Sequence, residues 1–212
     1  MSKSKLTLAG IGLRAKTGRA VVVVLVGPAT SPLVWKRSLI DLVDPKIPAT
    51  SQPYHEVMEL RWPDALVAVQ PLVKAIENVA TNRMAELASA ICSAGFTVRG
   101  VGIVGSGDRK LEKIGNPHIR AHAAEGVLFR SVLESAAKGN ELDEHFFTEK
   151  ELDQLAISQL HLEAATLKHK LLDLGRAVGP PWRTDERIAA TAAWLALTAN
   201  KRSRVKSASK SI

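Results

Sequence analysis

The sequence is poor in several residue types that restrict how a protein of 212 residues can be built. It has one cysteine, Cys92, which excludes a disulfide framework and a CxxC metal site and suggests a reducing compartment. The small neighbours of Cys92, at the end of a helical pattern, predict a buried side chain rather than a nucleophile. The longest uninterrupted apolar run, residues 20–26, is too short to cross a bilayer, and no secretory signal is recognisable. We therefore expect a cytoplasmic protein that has no membrane partner.

Acidic residues are missing from the first forty positions, and the whole sequence carries a net charge of +8. A strongly basic protein suggests an acidic partner such as nucleic acid. Seven of the eight net positive charges belong to two short ends, however, which leaves +1 for residues 6–199. The charge pattern predicts a basic tail at 1–5, one domain over 6–199 and a disordered basic tail at 200–212 that assists nucleic-acid binding.

Apolar alternation and β-branched runs predict strands, and an apolar period near 3.6 residues predicts helices. Asn116 followed by Pro117 is a strong signal for a helix start. The predicted elements of the first half are strands at 6–13, 19–26 and 33–42, an irregular proline-bearing loop at 43–63, and a helix at 64–94. Pro71 lies inside this last pattern, so the helix either begins there or kinks. The predicted elements of the second half are a strand at 97–104, a helix at 117–138, a weak strand within 142–148, and helices from 149, at 160–174 and at 184–199.

This order of elements resembles the ribonuclease H-like fold, an α/β architecture with a mixed five-stranded sheet flanked by helices. The opening GIGLRAKTGRAVVVVL is similar to the first hairpin of RuvC-type Holliday-junction resolvases and of the related actin-like ATPases. The ending DERIAATAAWLALTA resembles the Asp-headed, alanine-rich last helix of the resolvases. The resemblance covers nearly the whole sequence and predicts a three-strand meander followed by alternating helices and strands.

The resemblance also implies a two-magnesium centre, with carboxylates from the first strand, the fourth strand and the last helix. In this sequence the place of the first-strand Asp falls on Gly10 or Gly12. The fourth strand has no acidic residue before Asp108, so Asp185, with Glu186 beside it, is what remains of the metal ligands. The two-metal nuclease activity of the resolvases is therefore not expected here.

A different set of candidate catalytic residues lies at the start of the helix after the fourth strand. His118, His122 and Glu125 are spaced i, i+4 and i+7, which places two imidazoles and a carboxylate on one helix face. Imidazole nitrogens suit Zn²⁺, Mn²⁺ or Fe²⁺, whereas the positive end of the helix favours an anion, and a packed helix end needs no ligand at all. Tyr54 and His55 end the long loop, and we expect His55 to join His118 and His122 if the fold brings the loop to this helix.

Residues suited to phosphate contacts lie in the first hairpin and after the fourth strand. A glycine-flanked serine can present backbone amides to a phosphate, and hairpin cations can contact a phosphate backbone. A plain loop and a solvated turn are the ordinary alternatives. The predicted ligand-binding residues are Arg14, Lys16, Thr17, Tyr54, Gly105, Ser106, Gly107, Asn116 and Arg120, and the candidate metal ligands are His118, His122, Glu125 and Asp185.

Together these patterns predict a ribonuclease H-like protein that binds nucleic acid or another phosphate-bearing ligand without the usual two-metal nuclease activity. One alternative is a metal-dependent hydrolase or phosphotransferase that acts on phosphate esters through the His and Glu residues. Another is a non-catalytic scaffold or a homo-oligomer. The sequence identifies no particular cofactor, although a divalent metal is compatible with the hydrolase or phosphotransferase interpretation.

Overall fold

A tight antiparallel meander opens the fold. The computed structural model describes residues 7–199, so the two predicted basic tails lie outside the described residues. The first three strands are β1 (Thr7–Lys16), β2 (Arg19–Val26) and β3 (Leu33–Asp41), each antiparallel to the one before. Gly18 joins β1 to β2 at a φ of +73°, a conformation that glycine adopts without steric cost.

Two parallel strands complete the sheet beside β1. β4 (Phe96–Gly105) pairs with β1, and β5 (Glu144–Thr148) pairs with β4, giving the order β3-β2-β1-β4-β5. This mixed five-stranded sheet confirms the predicted ribonuclease H-like architecture. β1, β3, β4 and β5 all end at the same side of the sheet, which we call its carboxyl end. The loop after β3, the loop after β4 and the chain after β5 therefore emerge together.

Residues 7–199 form six α-helices, five of which pack on the two faces of the sheet. One core cluster packs α2 and α3 against the first face, and a second packs α4, α5 and α6 against the other. No helix within residues 7–199 is both long and apolar enough to span a membrane. The helices are α1 (Trp62–Ala68), α2 (Gln70–Ser93), α3 (Pro117–Gly139), α4 (Glu149–Leu160), α5 (Ala164–Val178) and α6 (Thr184–Thr198).

Two predicted helices have different boundaries. The pattern over 64–94 is divided into α1 and α2, because Pro71 lies in the first turn of α2 and cannot continue an earlier helix. The predicted helix at 160–174 is wrong at its start, since Leu160 ends α4. His161 then adopts a left-handed conformation with a φ of +53°, and α5 begins three residues later at Ala164.

The predicted burial of Cys92 is also wrong, because its side chain is exposed. α2 buries Ile76, Ala80, Met84, Leu87 and Ile91 along one stripe. Cys92 follows Ile91 directly, and one residue turns a helix by about 100°, which carries the thiol off that stripe.

α6 lies unusually close to the centre of the sheet. Every residue from Ala189 to Leu197 is buried. A Cβ atom added at Gly10, Gly12 or Gly102 would come under 3.0 Å from backbone atoms of α6. The absence of side chains at these three positions therefore allows the helix to approach β1 and β4. It also means that neither Gly10 nor Gly12 has room for the first-strand carboxylate of the resolvases.

Gly12→Ala tests this close contact, because the new methyl group would meet the backbone of Ala189 and Ala193. We expect it to lower the free energy of unfolding, measured in urea, by about 1–3 kcal/mol or more. Gly115→Ala is the matched control, since nothing lies within 4 Å of its added Cβ. Equal stability of the two variants would contradict the proposed role of the glycines.

Candidate functional site

Three histidines from two separate segments meet at the carboxyl end of the sheet. His118 and His122 lie in the first two turns of α3, and His55 comes from the loop between β3 and α1. The ring centroid of His55 is 5.0 Å from that of His118 and 4.4 Å from that of His122. The His118 and His122 centroids are 4.5 Å apart. We call these three residues the histidine cluster.

Glu125 binds the His55 ring through its Nδ1 atom. Its carboxylate is completely buried, and Oε1 accepts a hydrogen bond of 2.8 Å from Nδ1 of His55. The backbone N–H of His55 donates to the same oxygen over 3.4 Å. Within the described part of the chain, Nε2 of His55 and Oε2 of Glu125 are buried without a hydrogen-bond partner. Glu125 therefore orients His55 and leaves the other ring nitrogen available to the cluster.

One nitrogen of each ring converges on a common point. Nε2 of His118 lies 3.2 Å from Nε2 of His122, and one nitrogen from each of the three histidines lies within 4.8 Å of the others. His118 and His122 are exposed, whereas His55 is half-buried. The cluster is thus anchored on the protein side and open to solvent on the other.

The local sequence explains why α3 presents these rings. Asn116 caps the helix by accepting a hydrogen bond of 3.0 Å from the backbone N–H of Ile119. Pro117 occupies the first turn, where its missing N–H costs nothing. The four-residue spacing of His118 and His122 then places both side chains on one face of α3.

An aromatic stack fixes the end of the loop that carries His55. Tyr54 stacks on Trp62, the first residue of α1, with ring centroids 5.8 Å apart. The guanidinium of Arg120 lies 5.2 Å from the Trp62 ring and donates to the carbonyl of Ile114 over 3.1 Å. Burial raises the pKa of the Tyr54 phenol, so this side chain stays neutral near pH 7 and serves packing better than proton transfer.

The predicted phosphate loop after β4 lies against α3. A Cβ added at Gly126 would lie 2.7 Å from Oγ of Ser106. Because Gly126 has no side chain, the loop can pack against the turn of α3 that carries Glu125. Gly105 is similarly close to the side chain of Arg130, and Gly107 approaches Thr148. Asn116 and Arg120, also predicted to bind a ligand, instead hold the helix start and the aromatic stack.

The other predicted ligand-binding cations belong to an ion-pair cluster formed by Arg14, Lys16, Glu149 and Asp185. Arg14 pairs with Glu149, and its Nε lies 3.6 Å from a carboxylate oxygen of Asp185. Nζ of Lys16 is 3.3 Å from Asp185. Burial lowers the pKa of Arg14, and the charge of Asp185 opposes that shift. Because Asp185 faces two cations, it is poorly placed to bind a metal, and neither Arg14 nor Lys16 is free. Thr17 stays exposed at the hairpin turn.

Sequence reasoning missed one buried cation near the site. Arg130 pairs with Asp108 and with Glu134, 3.0 Å away, and its guanidinium lies 4.6 Å from the ring of Phe146. These contacts tie the loop after β4 to α3 and β5. The four-residue spacing of Arg130 and Glu134 is the sequence pattern that could have indicated their ion pair.

The fold and the site define an α/β protein of ribonuclease H-like architecture whose titratable cluster lies at the carboxyl end of its sheet. No family model matches the chain, and no curated protein matches it. Two structures of Thermus thermophilus RuvC, one in complex with a Holliday junction substrate, are similar, each with a TM-score of 0.49 and 9% identity. The alignments cover 90% of this chain and 91% of that chain for the complex, and 89% and 92% for the other structure.

An Aquifex aeolicus member of the Ppx/GppA family is similar over 71% of this chain and 39% of that chain, with a TM-score of 0.34 and 11% identity. At these TM-scores and identities the likenesses say nothing of what this chain binds or does.

Glu125→Ala tests whether the buried carboxylate anchors the His55 loop. We expect trypsin to cleave at Lys46 and Arg61 roughly tenfold faster or more, because a buried charge-assisted hydrogen bond is lost. Glu56→Ala is the control, since Glu56 is exposed and follows His55 directly. Equal cleavage rates in the two variants would contradict the anchoring role.

Proposed function

We propose that the protein is a hydrolase that acts on a phosphate ester at the carboxyl end of the sheet, with the histidine cluster and Glu125 as its catalytic centre. The observation that carries this proposal is the convergence of His55, His118 and His122, backed by the His55–Glu125 hydrogen bond of 2.8 Å. Imidazole changes its charge near neutral pH and is the side chain used most often for proton transfer in catalysis. A carboxylate behind one imidazole fixes its orientation and tautomer.

A phosphate ester is the proposed substrate class because the loop that precedes α3 carries three exposed cations, against the carboxylates of Asp108 and Glu112. Arg109, Lys110 and Lys113 are exposed in the loop that leads from β4 to α3, and none forms an ion pair within residues 7–199. Such cations can bind and orient a phosphate group without recognising the group that is esterified to it. Ser106 lies in the same loop beside Gly126, so the loop and the catalytic helix share one surface.

Nucleic acid is one phosphate ester that fits this proposal. The first hairpin supports it less than its sequence suggests, because Arg14 and Lys16 face carboxylates. Arg37 donates to the carbonyls of Gly179, Pro180 and Pro181. The remaining support comes from the basic loop at 109–113 and from the basic tails. Binding of nucleic acid without catalysis is a second candidate function, separate from the hydrolase.

Activity assays on His118→Ala and His122→Ala test the hydrolase proposal. With p-nitrophenyl phosphate, its bis ester and a short DNA duplex as substrates, we expect each change to reduce turnover by about 10²–10⁴-fold. Both side chains are exposed, so circular dichroism should show an intact fold. His169→Ala, at an exposed histidine of α5 that pairs with Asp173, is the control and should keep full activity. Unchanged turnover in His122→Ala would contradict the proposal.

Salt-dependent binding tests the nucleic-acid form of the proposal. We expect the affinity for a fluorescent DNA duplex, measured by anisotropy, to fall steeply with added salt. Changing both Lys110 and Lys113 to Ala should reduce the slope by about two, since each contacted phosphate contributes roughly one. Lys74→Ala, at a residue of α2, is the control. If removal of residues 200–212 abolishes all binding, the folded domain has no nucleic-acid surface.

A further inference from the structure

The three imidazoles of the histidine cluster are arranged as if around a cation. A neutral imidazole offers one N–H donor and one acceptor nitrogen. One hydrogen bond can therefore join Nε2 of His118 to Nε2 of His122, which lie 3.2 Å apart. Nε2 of His55 is then left buried with no hydrogen-bond partner among residues 7–199. A metal ion at the common point would satisfy all three lone pairs at once.

The spacing of one pair of nitrogens agrees with tetrahedral coordination. Two nitrogens bound to zinc at about 2.0–2.1 Å, with a tetrahedral angle between them, lie roughly 3.3–3.4 Å apart. The His118–His122 separation of 3.2 Å is close to this value. The set as a whole spans up to 4.8 Å, so the exposed rings of His118 and His122 would have to turn to bring all three nitrogens to these distances.

We propose that His55, His118 and His122 bind one divalent transition-metal ion, with zinc as the best fit. The converging atoms are all imidazole nitrogens, which suit zinc, cobalt and copper, whereas magnesium and calcium prefer oxygen ligands. Glu125, expected from sequence to be a ligand, is a positioning residue that holds Nδ1 of His55. Carboxylates commonly orient metal-binding histidines in this way.

The surroundings of the site are compatible with a positive ion. The positive end of α3 is partly neutralised, because Asn116 accepts the N–H of Ile119 and Pro117 has no N–H. Glu125 is completely buried, and its unpartnered Oε2 adds negative potential a short distance behind His55. These two features reduce the electrostatic cost of a cation at a helix start, whereas the exposed Arg109, Lys110 and Lys113 of the preceding loop raise it.

Three protein ligands would leave a fourth coordination position for water, on the side where His118 and His122 are exposed. Zinc lowers the pKa of a bound water to about 7 in sites of this kind, which makes hydroxide available near neutral pH. This step rests on the proposed function. A water held there would give one proton to solvent, its oxygen would bond to phosphorus, the ester P–O bond would break, and the departing alkoxide would take up a proton from solvent. In this form of the site the three imidazoles would act as ligands and not in proton transfer.

Metal titration of the full-length chain tests the site without relying on activity. The protein is stripped with a chelator and titrated with Zn²⁺ by calorimetry and with Co²⁺ by visible absorption. We expect one ion per chain and the absorption of tetrahedral cobalt. His122→Ala should weaken binding at least about 100-fold, and Glu125→Gln about 10–100-fold with the stoichiometry kept. His169→Ala should bind as the unmodified chain does.

Two results would overturn the metal site: no stoichiometric binding of either ion, or unchanged affinity when both His118 and His122 are replaced by Ala. Because these two side chains are exposed, loss of folding does not obscure the second result. Stoichiometric metal binding without hydrolysis of any phosphate ester would keep the site and contradict the proposed function. Hydrolysis that survives chelation, in a protein that binds no metal, would contradict the metal site and support the proposed function.

Discussion

The close approach of α6 to β1 and β4 is the constraint on which the arrangement of the fold depends. Gly10, Gly12 and Gly102 have no side chains, and the buried, alanine-rich surface of α6 packs directly against them. Backbone therefore packs against backbone at the centre of the molecule. This contact fixes one helical layer against the sheet and leaves no space for a functional side chain on that face of the central strands.

The position of the candidate functional site agrees with this constraint. In the resolvases that the sequence resembles, metal ligands come from the first strand and the last helix. Here the first strand is glycine at that place, and Asp185 of the last helix faces Arg14 and Lys16. The candidate site lies instead where the loop after β3 meets α3, in the layer on the other face. Both clusters remain at the carboxyl end of the sheet, where the loops of such folds converge.

Much of this was predictable from local patterns. The apolar run of β2, the Asn-Pro start of α3 and the spacing of His118, His122 and Glu125 all depend on residues close in sequence, so they could be recognised directly. The meeting of His55 with His118 needed the fold, because more than sixty residues separate them. The resemblance to a known architecture made that contact a reasonable hypothesis and could not supply its geometry.

The features that sequence reasoning missed depend on which way a side chain points. Glu125 shares a helix face with His122, yet its carboxylate binds His55 from behind. Cys92 lies one residue past the buried stripe of α2, and His161 ends α4 in a left-handed conformation that few residue types signal. The ion pairs of Arg14 and Lys16 are not visible in the sequence, because their partners Glu149 and Asp185 are distant along the chain.

X-ray absorption at the zinc edge of the loaded, full-length protein tests the central claim most directly. The proposed site predicts three imidazole nitrogens and one oxygen at about 2.0–2.1 Å, with one imidazole missing when His55 is replaced. A first shell made of oxygen alone, or one that includes the sulfur of the exposed Cys92, would contradict it.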